Sequence, residues 1–165
     1  RLDIPGQKPT MYLSRNTEDA HQTIGSIIRN YTQQGIQKKQ IVVLTVKTED
    51  TSILSGISSV GGYPLVSNRN DNGILFTSSR KFKGLESDVV IVVDVDDSCF
   101  LDDEKRRVFY VGSSRAKHFL DIVSVMNDED TNSMVVRLTG EKKKNAKLAL
   151  GSFLKVKIVS GSTTS

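Results

Sequence analysis

Val89-Val90-Ile91-Val92-Val93-Asp94 is the stretch that decides the fold. Five β-branched residues stand in a row, with an acid closing the run. A half-exposed strand would alternate apolar and polar residues. This one does not, so it reads as a strand buried on both faces. Ile41–Val46 is a second run of the same kind. Ile74–Ser78, starting after Gly73, and Phe119–Val125 read as two further strands, and Thr10–Ser14 and Tyr63–Val66 as shorter ones. Between them lie helical signals. Asn16 or Thr17 reads as an N-cap, with Glu18 and Asp19 in the first turn, where the helix dipole favours acids. Ile24, Ile27, Ile28 and Tyr31 follow on one helical face, and Gly35 ends it. Ile53, Leu54 and Ile57 have the spacing of a short helix. Asp102, Asp103 and Glu104 open another, running to about Ala116, with Val108 and Val111 on its inner face. Strands alternating with helices predict an α/β domain with a mainly parallel sheet covered on both faces.

The polar, acidic stretch Asn127–Ser133 reads as a boundary. The expected division is residues 1–126 as the α/β domain and 127–165 as a basic tail. Met134–Leu138 and Leu148–Val159 are apolar patches within that tail, and Gly161–Ser165 reads as a frayed end. No internal repeat is present.

The sequence has 165 residues, 37% of them hydrophobic and 25% charged, which suits one domain with a real core and excludes wholesale disorder. No run approaches the roughly eighteen apolar residues of a membrane span, so no membrane partner is expected. One cysteine, Cys99, excludes a disulfide framework, and two histidines make a Cys/His zinc site untenable. The absence of a signal peptide predicts a cytoplasmic protein. A start at Arg1 predicts a piece of a longer polypeptide. The formal net charge of +4 is uneven. Up to residue 139 there are 17 basic and 18 acidic residues; from 140 on there are six lysines and one glutamate. Lys142, Lys143, Lys144 and Lys147 carry most of this excess. Such a run either meets phosphates or forms a solvated surface.

Three clusters bear chemistry. Ser78-Ser79-Arg80-Lys81-Phe82-Lys83-Gly84-Leu85-Glu86 follows a strand end, where open parallel sheets bind ligands. Its cations, hydroxyls and glycine suit phosphate contact, or else an exposed turn. Tyr110-Val111-Gly112-Ser113-Ser114-Arg115-Ala116-Lys117 ends a helix. Its arginine either bonds the last helical carbonyls or is held toward a phosphate. Asp94, Asp96 and Asp97 after Val89–Val93 resemble a Walker B strand end, but no G-x-x-x-x-G-K-[ST] accompanies them. They read as a solvated strand end. His21 and His118 each stand alone and read as surface or packing residues, and no G-x-S-x-G nucleophile elbow is present.

Two of these clusters carry a family likeness. Phe82-Lys83-Gly84-Leu85-Glu86 before an apolar strand resembles motif V, T-x-H-x-x-K-G-L-E, of the UvrD/Rep-like superfamily 1 DNA helicases. Val108-Phe109-Tyr110-Val111-Gly112-Ser113-Ser114-Arg115-Ala116-Lys117 resembles their motif VI. The strand Ile41–Val46 is similar to their motif IV region. The resemblance runs from about Tyr12 to Val125, the span of the second RecA-like domain. It implies a three-layer domain with a mainly parallel sheet flanked by helices.

By this resemblance Arg115 is the arginine finger, reaching the γ-phosphate of ATP held mainly by an N-terminal RecA-like domain of the same polypeptide. Glu86 accepts a hydrogen bond from the ribose, Gly84 keeps the backbone close to the nucleotide, and Tyr110 helps set motif VI against motif V. Ser78 and Arg80 lie toward single-stranded DNA, and Lys83 couples the two sites. Mg²⁺ ligands are expected from the N-terminal domain. Two departures stand out. Arg80 replaces the usual histidine, and Thr45, Val46 and Lys47 stand where motif IV usually carries an aromatic and an arginine. The interval between motifs IV and V is short, which predicts the compact form of the domain. The implied function is the C-terminal motor domain of an ATP-dependent helicase, inactive as an isolated fragment. The rival is a binding or regulatory module with the same fold and no nucleotide role of its own.

Overall fold

The computed structural model describes residues 7–160, so the expected frayed end at 161–165 lies outside the described residues. Eight strands form one sheet: β1 (Thr10–Ser14), β2 (Ile41–Thr45), β3 (Ser59–Val60), β4 (Tyr63–Val66), β5 (Ile74–Ser78), β6 (Ser87–Val93), β7 (Ala116–Val125) and β8 (Lys157–Ser160). Their spatial order is β3-β4-β5-β2-β6-β7-β1-β8. The short β3–β4 hairpin is antiparallel and every other pairing is parallel. Four α-helices complete the fold among the described residues: α1 (Thr17–Gln33), α2 (Asp103–Ser113), α3 (Asp128–Thr139) and α4 (Ala146–Leu154).

The two continuous apolar runs lie at the centre of the sheet, paired Ile41 with Val89 through Thr45 with Val93. Side chains alternate across a strand, so each run feeds two cores. Val89, Ile91 and Val93 pack with Ala20, Ile24 and Ile28 of α1. Val90 and Val92 pack on the opposite face with Phe82, Phe109 of α2, Met134 of α3 and Leu150 of α4. This is a three-layer α/β domain of RecA-like form: α1 on one face, α2 to α4 on the other.

Several boundaries differ from the sequence reading, each for a physical reason. The helix expected over Ile53–Ile57 is a series of turns. The Ile53 amide donates to the Asp94 carboxylate at 3.0 Å instead of to a helical carbonyl, and Leu54 alone of the three is buried. Helix α2 stops at Ser113, not Ala116. Its buried face is Phe109, Gly112 and Ser113, while Val108 and Val111 are half-exposed. Strand β7 starts at Ala116, three residues earlier than expected, because Ser87 pairs with Ala116.

The segment Asn127–Ser133 is the start of α3. Asn127 and Asp130 form a reciprocal capping box, and three acids occupy the first turn. The apolar patches beyond it are α3, α4 and β8. Met134, Val135, Leu150 and Leu154 lie in the core, and β8 pairs with β1. Lys142, Lys143 and Lys144 sit exposed between α3 and α4; Lys143 bonds Glu141 at 2.6 Å and Lys147 bonds Ser160 at 3.0 Å. No helix among the described residues is long and apolar enough to cross a membrane.

Candidate functional site

Parallel strands give the sheet two chemically different edges. The basic turn crosses from one to the other, leaving the carboxyl end of β5 and entering the amino end of β6. At its start, the Ser79 amide donates to the Thr45 carbonyl at 2.9 Å, which ties the turn to β2. Ser78 is buried, and its hydroxyl accepts the Lys81 amide at 3.2 Å. Arg80 is exposed and stands 3.6 Å from Glu104. Phe82 is 1% exposed and anchors the turn in the core. Lys83, Gly84, Leu85 and Glu86 then run exposed along the surface. Gly84 has φ +83°, and a methyl group there would meet nothing within 4 Å. Glycine is thus required by backbone conformation, not by crowding, and the space over the backbone stays open.

Arg69 was not singled out in the sequence, yet it holds this turn. Its guanidinium donates to the Glu86 carbonyl at 3.0 Å, and its central carbon stands 5.3 Å from the Phe82 ring centroid. A lone arginine in a polar β4–β5 loop gives no sequence signal of such a role.

Helix α2 brings the second cluster to the same turn. A methyl group at Gly112 would collide with Ser79 Oγ and lie 3.1 Å from its Cβ, so glycine lets helix and turn touch. Tyr110 is half-buried, its ring 5.0 Å from that of Phe109, and burial raises its phenol pKa. After the C-cap Ser114, Arg115 leaves the helix. Its carbonyl accepts the Ser87 amide at 3.0 Å, so Arg115 and Glu86 share the amino edge of the sheet. The Arg115 Nε is buried without a hydrogen-bond partner, and its guanidinium forms no ion pair among the described residues. A guanidinium without an ion pair, an exposed carboxylate and an open glycine backbone form a donor and acceptor set that fits an anionic nucleotide.

Ser78 and Arg80 lie at the opposite, carboxyl edge. The turn between the two groups is folded on itself, the Phe82 amide donating to the Ser78 carbonyl and the Leu85 amide to the Phe82 carbonyl, each at 3.1 Å. Lys83 lies on the crossing, in a small cleft with Arg80. The residues after β2 also belong to the carboxyl edge. Thr45 donates to Asp94 at 2.5 Å, and Lys47 bonds Asp96 at 2.7 Å, so neither stands near Arg115.

Asp94 corrects the expectation of a solvated strand end. It is 7% exposed, has φ 69°, and its carboxylate collects the Thr45 hydroxyl and the Ile53 amide. It is a structural acid that organises the loop after β2. Asp96 and Lys47 are half-buried. Burial opposes both charges, yet their mutual hydrogen bond prevails and leaves the Asp96 pKa lowered and the Lys47 pKa raised. No group of three or more His, Cys, Asp or Glu suited to a metal ion occurs among the described residues. His21 Nε2 lies 2.7 Å from the Ile53 carbonyl, and His118 stands 3.6 Å from Asp88.

A buried acid was missed in the sequence. Asp121, in the middle of β7, is 5% exposed and accepts the Tyr31 hydroxyl at 2.6 Å. Burial pushes its pKa up to about 6, against the lowering effect of that hydrogen bond. A single acid inside Phe119–Val125 was the available signal.

These features define an α/β domain in which the basic turn and the end of α2 meet at the sheet. Residues 73–123 match the family model of the UvrD-like helicase C-terminal domain. That span holds β5, the turn, β6, α2 and most of β7, so the resemblance read from the two motifs is borne out on the segment that carries it. The chain is also similar to the crystal structure of the C-terminal domain of a possible DNA helicase from Lactobacillus plantarum WCFS1. The TM-score is 0.57 and the identity 22%, over 73% of this chain and 75% of that one. At that identity the likeness is one of fold. No curated protein matches the chain.

Proposed function

We propose that this domain is the second RecA-like motor domain of an ATP-dependent superfamily 1 DNA helicase. ATP and Mg²⁺ would be held mainly by a partner RecA-like domain, across a cleft from the amino edge of this sheet. When bound there, the nucleotide supplies the phosphoryl group whose transfer to water drives movement. Arg115 is the cation this chain brings to the developing charge, an arginine finger worth about 10³–10⁵ in rate. Glu86 takes a ribose hydroxyl, and Gly84 leaves room for close approach. Arg115 is carried into and out of the cleft as the domains close and open. Because its carbonyl is bonded to Ser87, that movement is transmitted through the basic turn to Arg80 at the other edge, where a single strand of DNA is gripped by its phosphates.

The observation that carries this reading is that Arg115, held by its backbone beside Glu86 and Ser87, forms no ion pair among the described residues. Lys47 favours a second reading, a binding module without nucleotide chemistry, because its charge is used on Asp96 at the far edge.

The test compares this chain alone with a polypeptide that also contains the partner domain. The chain alone should give no measurable ATP turnover. Joined to its partner, it should give turnover that single-stranded DNA stimulates. Robust turnover by the isolated chain would contradict the proposal, and a joined protein that binds no ATP would favour the module.

A further inference from the structure

The peptide unit joining Glu86 to Ser87 is bonded on both sides by arginines. Its N–H donates to the Arg115 carbonyl at 3.0 Å, and its carbonyl accepts the Arg69 guanidinium at 3.0 Å. The peptide is trans, so its N–H and C=O point in opposite directions. Arg69 and Arg115 therefore flank the backbone that carries Glu86. We infer that Arg69 is the positioning residue of the Glu86 carboxylate and, through it, sets how strongly the domain holds the ribose of a nucleotide. This rests on the nucleotide reading of Glu86, but it assigns a residue outside both motifs and outside the segment 73–123 that matches the family model.

Glu86 needs such a partner. It is exposed, and its carboxylate forms no ion pair among the described residues. Its direction is therefore set by its own backbone. Gly84, two residues earlier, has φ +83°, and a glycine turns more freely than any other residue. Phe82 anchors the chain in the core before that swivel. Arg69 holds the chain after it, through the Glu86 carbonyl, and also lies against the anchor, its central carbon 5.3 Å from the Phe82 ring centroid. One guanidinium thus spans the swivel from residue 82 to residue 86.

Arg69 is itself presented on a fixed turn. Asn68 Oδ1 accepts the Asn70 amide at 2.9 Å, and the Asn68 carbonyl accepts the Asp71 amide at 3.0 Å, so an Asx turn closes the loop around it. The guanidinium forms no ion pair among the described residues, and no carboxylate there competes for its donors. The two arginines then divide the work. A ribose is remote from the phosphoryl group, so its contacts are alike before and during transfer. Losing such uniform binding raises KM and leaves kcat in place. Arg69 governs the hold on the sugar, and Arg115 governs the rate of transfer.

The test measures DNA-stimulated hydrolysis of ATP and of 2′,3′-dideoxy-ATP, which lacks both ribose hydroxyls, by the two-domain protein. Arg69→Met keeps an apolar contact over Phe82 and loses the donor. It should raise the KM for ATP about tenfold, the worth of a hydrogen bond to a charged group, while kcat and the KM for the dideoxy nucleotide stay close to the parent's. Arg69→Lys still supplies a donor for the single carbonyl and should restore the preference for ATP. Glu86→Ala is the reference, since Glu86 belongs to the helicase reading itself. If Glu86→Ala removes the preference and Arg69→Met does not, the positioning role is refuted and the helicase reading stands. If neither variant removes it, the ribose contact falls and the inference falls with it. A drop in kcat with both nucleotides and an unchanged preference would make Arg69 a folding residue only and overturn the inference.

Discussion

The amide of Ser87 donates to the carbonyl oxygen of Arg115 at 3.0 Å. That bond joins the end of the basic turn to the residue that leaves α2, before either strand has begun its regular ladder. Glu86 and Arg115 are held together by backbone, not by side chains. Replacing either side chain should therefore leave the framework in place.

Arg69 ought to stabilise the turn that carries Glu86. Arg69→Ala removes one hydrogen bond, worth about 1 kcal/mol, and a ring contact worth about 0.5–1 kcal/mol at a half-exposed site. Urea unfolding should show a loss of about 1–2 kcal/mol. Hydrogen exchange at residues 83–87 should rise with it. Unchanged exchange there would mean that Arg69 merely rests on the turn.

Gly112→Ala pits helix propensity against packing. Alanine would gain up to about 1 kcal/mol in an open helix. Here its methyl group meets Ser79, and overpacking costs about 1–3 kcal/mol. The predicted net effect is destabilisation. Ser79→Ala should relieve part of it, because the hydroxyl is the first atom struck. A double-mutant cycle on unfolding free energy measures this coupling, and simple additivity would argue against the contact.

Asp121 should make stability depend on pH. Its folded pKa of about 6 lies above the roughly 3.9 of an unfolded aspartate. The folded state thus holds the proton more tightly. This contribution is full below about pH 4 and is lost as pH rises through 6. At pH 7 the loss approaches about 3 kcal/mol. Asp121→Asn keeps an acceptor for Tyr31 and should be more stable than the parent at pH 7. The advantage should vanish at pH 4. Equal stability of the two proteins at both values would refute the assignment.

Much of this was legible in the sequence. Ile41–Val46 and Val89–Val93 predicted the centre of the sheet because a strand buried on both faces leaves no polar position. Asn16, the isoleucine stripe and Gly35 predicted α1 nearly to the residue. The clusters around Gly84 and Arg115 were visible as motifs. Helix α3 was hidden by its own start. Asn127, Asp128, Glu129 and Asp130 read as a linker, although the same residues cap a helix. Asp94 was hidden because its partners, Thr45 and Ile53, come from a distant loop. Arg69 and the Gly112–Ser79 contact were hidden for the same reason: each joins elements that only the folded sheet brings together.

The central claim is that Arg115 serves the phosphoryl group. Single-turnover ATP hydrolysis by the two-domain protein, saturated with single-stranded DNA, tests it most directly. Arg115→Ala should slow that step by at least about 10³-fold while ATP and DNA binding and the unfolding midpoint stay close to the parent values. An Arg115→Ala protein that hydrolyses ATP at the parental rate would contradict the account.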